Sequence, residues 1–236
     1  MYLFNRRKHF REAGKAVGSL LCESGGSAYI DWSDHADWDF GAGDFCVEFW
    51  ARFESSFPQA NNALVCHGGR GNDITDYNGW NIKYNTSNGL YWGLRINNTN
   101  YDKTFAWTAS VDTWYHILLS RDGTDLRAFI DGTQIGSTET CSVDINDGAY
   151  PLRIGTAQDL TQDFIGNIDE LRISDVYRQN SNFTAPSTPY SVDGNTLFLC
   201  HFNGDDESTT FTDETGTHGD ALVYGTAEVD TDIYEF

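Results

Sequence analysis

The stretch Phe45-Cys46-Val47-Glu48-Phe49-Trp50-Ala51-Arg52-Phe53 decides the fold class. Phe45, Val47, Phe49, Ala51 and Phe53 share one face of an extended chain, and Cys46, Glu48, Trp50 and Arg52 share the other. This period of two is that of a strand with one face in a core; a helix would scatter the same residues around its axis. The pattern recurs in both directions. Upstream, Ala28–Trp32 reads as a strand. Downstream come Leu64–His67, Trp80–Tyr84 and Leu90–Ile96, the last with Leu90, Trp92, Leu94 and Ile96 on one side. Trp114–Arg121, Leu126–Ile130, Leu152–Gly155, Phe164–Ile173, Leu197–Phe202 and Ala221–Tyr224 follow. Asp122-Gly123 marks a turn. Asp131-Gly132, set between Phe129–Ile130 and Gln134–Ile135, signals a tight hairpin, because a type I′ turn needs positive φ at both central residues. Only the first fifteen or so residues could form a helix, which Gly14 and Gly18 would end.

These elements predict an all-β chain, a two-sheet antiparallel β-sandwich of the jelly-roll kind, with Trp50, Trp92 and Trp114 packed inside. At 236 residues the chain can bury a large core without a disulfide or metal staple. The five cysteines, Cys22, Cys46, Cys66, Cys141 and Cys200, are odd in number and show no zinc spacing, so buried free thiols are expected. Free thiols suit folding in a reducing cytosol. No stretch reaches transmembrane length, and Met1–Phe4 is too short for a signal-peptide core.

The net charge is −20, which repels nucleic acid and anionic membranes and offers carboxylates to calcium. For most of these acids a solvated surface is explanation enough. The first fifteen residues run the other way. Arg6, Arg7, Lys8, Arg11 and Lys15 are opposed only by Glu12, a basic arm on an acidic body. Such an arm could anchor the chain to an acidic partner or a neighbouring copy, or trail as a loose tail.

Several segments, in order, carry a family resemblance. They include Gly26-Ser27-Ala28-Tyr29-Ile30-Asp31-Trp32, Asp37-Trp38-Asp39-Phe40-Gly41-Ala42-Gly43-Asp44-Phe45, Thr113-Trp114-Tyr115-His116 and Phe129-Ile130-Asp131-Gly132. Leu152-Arg153-Ile154-Gly155, Gly166-Asn167-Ile168-Asp169-Glu170-Leu171-Arg172-Ile173 and Ser181-Asn182-Phe183-Thr184-Ala185-Pro186 complete the series. Over roughly residues 15–190 the chain resembles a laminin G-like, concanavalin A-like domain of the kind found in phage and marine bacterial proteins. The resemblance divides it into a basic arm (1–15), a jelly roll (16–190) and a C-terminal segment (191–236). That last segment departs from the family's order. Leu197–Gly204 and Thr210–Asp213 resemble the piece that usually opens such a domain. They are expected to complete the sandwich by folding back, or to donate strands to a neighbour and make a homo-oligomer.

The resemblance implies a virion-associated, non-enzymatic protein, a fibre or capsid decoration assembled in a host cytoplasm. The arm would meet other virion proteins and the jelly roll a cell-surface glycan. A purely structural decoration protein and a polysaccharide-degrading enzyme are the rivals. Enzymes on this scaffold carry a Glu-x-Asp-x-Glu strand that sets acid and base on one face. No such run occurs here, and Asp169–Glu170, being adjacent, should point to opposite faces of a strand. The histidines show no pair at metal-ligand spacing, which speaks against zinc. Related domains often hold calcium, and Asp169, Asn203 and Asp205 are the oxygen donors that fit. The plain alternative is that Asp169 accepts from backbone amides and Asp205 is solvated. Sugar binding needs an exposed ring beside amides. Tyr77, Asn78 and Trp80 in one loop, and Asn97 and Tyr101 in another, supply that combination, although most Trp residues belong in a core.

Overall fold

The computed structural model describes residues 17–23, 28–54, 61–68, 78–97, 99–145 and 148–236. The arm with Arg6, Arg7, Lys8 and Arg11, and also Tyr77, lie outside the described residues.

Among the described residues, two antiparallel sheets of eight strands each pack face to face as a jelly-roll sandwich. In the first sheet, β3 (Phe45–Phe53) is central. On one side stand β9 (Trp114–Asp122), β10 (Asp125–Ile130) and β11 (Thr133–Thr140). On the other stand β13 (Gly166–Ser174), β1 (Ser19–Cys22) and β16 (Glu228–Asp230), and β14 (Thr196–Cys200) pairs with β13 as well. The second sheet runs β15 (Leu222–Tyr224), β2 (Tyr29–Trp32), β12 (Leu152–Ile154), β4 (Asn61–Gly68), β5 (Gly79–Asn85), β6 (Gly89–Ile96) and β7 (Thr99–Asn100). A short β8 (Lys103–Phe105) also pairs with β6. One 3-10 turn, Ala36–Trp38, interrupts the β2–β3 connection.

The alternation in β3 sets the core. Phe45, Val47, Phe49, Ala51 and Phe53 are fully buried between the sheets, with Ile168 and Leu171 of β13 beside them and Ile30, Trp80 and Trp92 opposite. Phe45 stacks on Trp92 at 5.4 Å between centroids, and Trp80 on Trp92 at 5.5 Å. The Asp131-Gly132 hairpin forms as expected, with φ of 50° and 76° and Ile130 opposite Thr133. All five cysteines are free and buried.

Trp50 and Trp114 sit elsewhere than expected. They follow the second face of their strands, paired with His116 and Arg52, and so lie on the outer side of the first sheet. Trp50 is buried there by the C-terminal Phe236, whose ring centre is 5.6 Å away. Burial of part of a sheet's outer face by chain that crosses it is what the strand pattern alone does not reveal.

That cover has two parts. The segment between β13 and β14 crosses the outer face, seating Phe183 against Leu118, Phe129 and Cys46. The C-terminal segment supplies β14, β15 and β16, which pair with β13, β2 and β1 of the same chain through Leu171↔Cys200, Val223↔Ile30 and Leu20↔Val229.

A row of registered pairs, Trp32↔Leu152, Leu152↔His67, His67↔Trp80 and Trp80↔Leu94, runs across one end of the second sheet. The chain leaves β2 and β6 and enters β5 and β12 at this end, so their loops gather there.

Candidate functional site at the loop end

Three of the residues named for sugar binding meet at one corner of this end. Asn97 opens the β6–β7 turn in a left-handed conformation, φ 47°, and its N–H donates to Asn78 Oδ1 at 2.8 Å. Tyr101 is pinned through its backbone N–H to Leu94 O at 2.8 Å, and the Leu94 N–H donates to Asp102 Oδ1 at 3.1 Å. Tyr101 is 39% exposed, and Asn97 in the same turn is exposed as well. Fixed backbone with an exposed aromatic residue and amides suits a sugar: the ring meets its apolar face and the amides its hydroxyls.

Trp80 does not join them, and this corrects the expectation from sequence. It lies on the inward face of β5 with Ile82 and Tyr84, is fully buried, and donates Nε1–H to Trp38 O at 2.9 Å. No face of its ring is left for a ligand.

A second group lies at the same end, where the β2–β3 loop meets the turn before β15. His218 Nε2 is 3.1 Å from Asp37 Oδ2, and His35 Nδ1 is 3.4 Å from the same oxygen. His218 Nδ1 is 2.9 Å from Asp213 Oδ2. Asp213 is fully buried and organises its whole turn, accepting from the N–H groups of Leu199, Thr215, Thr217 and His218 and from the Thr215 hydroxyl. Burial pushes its carboxyl up, but these hydrogen bonds, led by His218, more than offset it and hold it well below the usual range. Trp38 packs on the His218 ring at 4.5 Å, and Trp32 Nε1–H ties Gly219 O to β2 at 3.0 Å. Among the described residues, this is where three His, Cys, Asp or Glu side chains bring ligand atoms within 4.8 Å of one another. Sequence spacing could not find it, because Asp37 and His218 are 181 positions apart. Between the two groups, Asp39 reaches His67 at 3.3 Å.

The model of the concanavalin A-like lectin/glucanases superfamily matches residues 24–182. The chain belongs to this superfamily. Solved structures agree at the level of fold. A candidate carbohydrate binding protein from Bacteroides ovatus ATCC 8483 superposes with a TM-score of 0.70 at 14% identity, over 92% of this chain and 60% of that one. The CBM40 of the Ruminococcus gnavus IT-sialidase gives 0.54 at 14% identity, over 72% and 93%. The native heptameric SAP-like pentraxin of Limulus polyphemus gives 0.51 at 15% identity, over 89% and 95%. The chain thus spans about 60% of the length of the Bacteroides protein. No curated protein matches it in sequence.

In this superfamily member, carboxylates do gather on the outer face of the first sheet, but they are spent on structure. Glu170 takes φ 52° at a bulge in β13, where the pairing with β3 shifts between Asp169 and Arg172. The bulge turns both Asp169 and Glu170 toward the covering segments, correcting the expectation of opposite faces. Glu170 accepts the Tyr190 N–H at 2.8 Å and meets His201 Nδ1 at 2.6 Å. Glu48 accepts from Arg172 at 2.6 and 2.9 Å and faces His116 at 3.4 Å. Burial pushes the Glu48 carboxyl up, yet His116 and Arg172 hold it below its ordinary value. Glu48, Asp169 and Glu170 are each no more than 3% exposed.

Asp169, one of the three residues named for calcium, accepts the Glu235 N–H at 3.1 Å through Oδ2. Burial, aided by the neighbouring Glu170, pushes its carboxyl well above the aspartate range against that hydrogen bond. A calcium ion there would have to offset the cost of ionising it. Asn203 lines a polar surface depression of about 240 Å³ with His201, Gly204, Ser208, Thr210 and Glu214, while Asp205 is exposed on the loop beyond.

Proposed function

We propose that this chain is a non-catalytic glycan-binding jelly roll displayed on a phage virion, and that Asn78, Asn97 and Tyr101 form its sugar site. The observation that carries the site is exposed Tyr101, its backbone held to Leu94, in the same turn as the Asn97–Asn78 pair. The state of the carboxylates supports a binding role over a hydrolytic one. A glycosidase needs two carboxyl groups open to the scissile bond, and Glu48, Asp169 and Glu170 are buried under covering chain. With a net charge of −20, the body favours neutral glycans over sulfated or uronic ones. The virion setting rests on the resemblance of the sequence and on the basic arm, whose deletion should release the protein from particles.

Calorimetry with a neutral oligosaccharide ligand and the full chain tests the site. Tyr101→Ala should weaken binding about tenfold or more, the worth of one stacked ring. Asn97→Ala should weaken it less, and neither should move the melting temperature by more than a degree or two. Unchanged affinity in both variants would remove this corner from the function.

A further inference from the structure

His218 brings both of its ring nitrogens to carboxylates. Its side chain is 3% exposed, and each ring nitrogen faces a carboxylate: Nδ1 faces Asp213 at 2.9 Å and Nε2 faces Asp37 at 3.1 Å. A neutral imidazole has one N–H and so can satisfy one of the two. Asp213, the more deeply buried and fixed by its turn, takes that N–H. Nε2 then meets Asp37 Oδ2 in one of two ways: as the second N–H of an imidazolium, or, in the neutral ring, as a lone pair that a bound cation links to the carboxylate. His35 brings a second lone pair to the same point. Its Nδ1 lone pair accepts the Asp37 N–H at 3.2 Å, and an ion bound there takes the place of that hydrogen bond.

The spacing fits a small divalent ion. With bonds of about 2.0–2.1 Å, a tetrahedral zinc ion keeps its ligand atoms about 3.3 Å apart. The two distances to Asp37 Oδ2 are 3.4 and 3.1 Å. Two imidazoles and one carboxylate favour zinc and its neighbours over calcium or magnesium, which prefer all-oxygen sets. We propose that His35, Asp37 and His218 bind one divalent transition-metal ion of the zinc class. Asp213 is the positioning residue that fixes the His218 ring, the carboxylate–histidine–metal arrangement of many such sites. Three protein ligands leave one position open toward the side of His35, whose side chain is 43% exposed. The ion would clip the β2–β3 loop to the C-terminal turn at the loop end of the sandwich. The Tyr101 corner lies across β12, β4 and β5 from it, about 19 Å at the usual strand spacing.

The test is a titration of metal-free, full-length protein with Zn2+ by calorimetry and with Co2+ by visible absorption. We expect one equivalent bound, with the intense bands of tetrahedral cobalt. His35→Ala and His218→Ala should each weaken binding at least tenfold, and Asp213→Asn should weaken it 10- to 100-fold. His35→Ala removes a partly exposed side chain and its hydrogen bond from the Asp37 N–H, so the metal-free variant should stay folded with only a small fall in melting temperature even if the buried variants unfold. Excess Ca2+ should not displace cobalt. Absence of saturable binding in wild type, undiminished binding in His35→Ala, or displacement by calcium would each overturn the proposal. No glycan enters the measurement, so its outcome is independent of the sugar-binding reading.

Discussion

Asp169 shows how one side chain carries a pH dependence. Its pKa in the fold is raised above the ordinary 3.8, chiefly by burial. A carboxyl so raised favours folding below its unfolded pKa, and that contribution is lost as pH rises through the folded value. At pH 7 it is therefore a liability. Asp169→Asn keeps an oxygen for the Glu235 N–H and removes the charge. It should match wild type near pH 4 and exceed it by about 1 kcal/mol or more at pH 7, read from thermal melts at both values. A bound calcium ion would reverse the sign, with the variant less stable at pH 7 whenever calcium is present. At this scale the sequence was partly legible. Asn78, Asn97 and Tyr101 stood out because polar loops with an aromatic residue keep it outside the core. Trp80 misled because it follows directly on Asn78-Gly79, and the parity of β5 alone turns it inward. His35, Asp37, Asp213 and His218 carried no signal, because nothing in local spacing records what a C-terminal turn will meet.

Among elements, the strands of both sheets could be read from period two and from turn chemistry, β3 and β10 most clearly. The outer cover could not. Residues on the second face of β3 and β9 look like surface in an alternating pattern, yet Glu48, Trp50 and His116 are buried. The crossing segment explains this. Tyr190 places its OH 2.7 Å from His116 Nε2, gives its N–H to Glu170, and lies with its ring 4.1 Å from the Arg172 guanidinium. Tyr190→Ala should cost about 3 kcal/mol or more, by analogy with other buried aromatic truncations, in denaturant melts. Some of that loss is desolvated charge left without cover, since Glu48 and Arg172 depend on the segment to exclude water. A cost below about 1 kcal/mol would mean that the segment merely rests on the sheet. The β13 bulge belongs here too: positive φ at Glu170, a non-glycine residue, is a conformation no period-two reading anticipates.

For the molecule as a whole, the C-terminal 40 or so residues are structural. They add β14, β15 and β16 to edges that would otherwise show unpaired backbone, they carry the Asp213 turn, and they lay Phe236 on Trp50. Removing Gly194–Phe236 should abolish cooperative unfolding, and a truncated chain that still melts as sharply as wild type would contradict this role. The family-like order of segments ends near residue 182, so the sequence could point to a completing tail but left open which strand edges it meets. The same tail makes the loop end what it is, with a rigid, carboxylate-anchored turn on one side and the Tyr101 corner on the other. The most direct test of the glycan-binding reading is an array of neutral and acidic glycans probed with labelled full-length protein, with calcium and with chelator. We expect specific signal on neutral glycans that Tyr101→Ala removes. Folded protein that binds no glycan in either condition would contradict the reading and leave a structural coat component in its place.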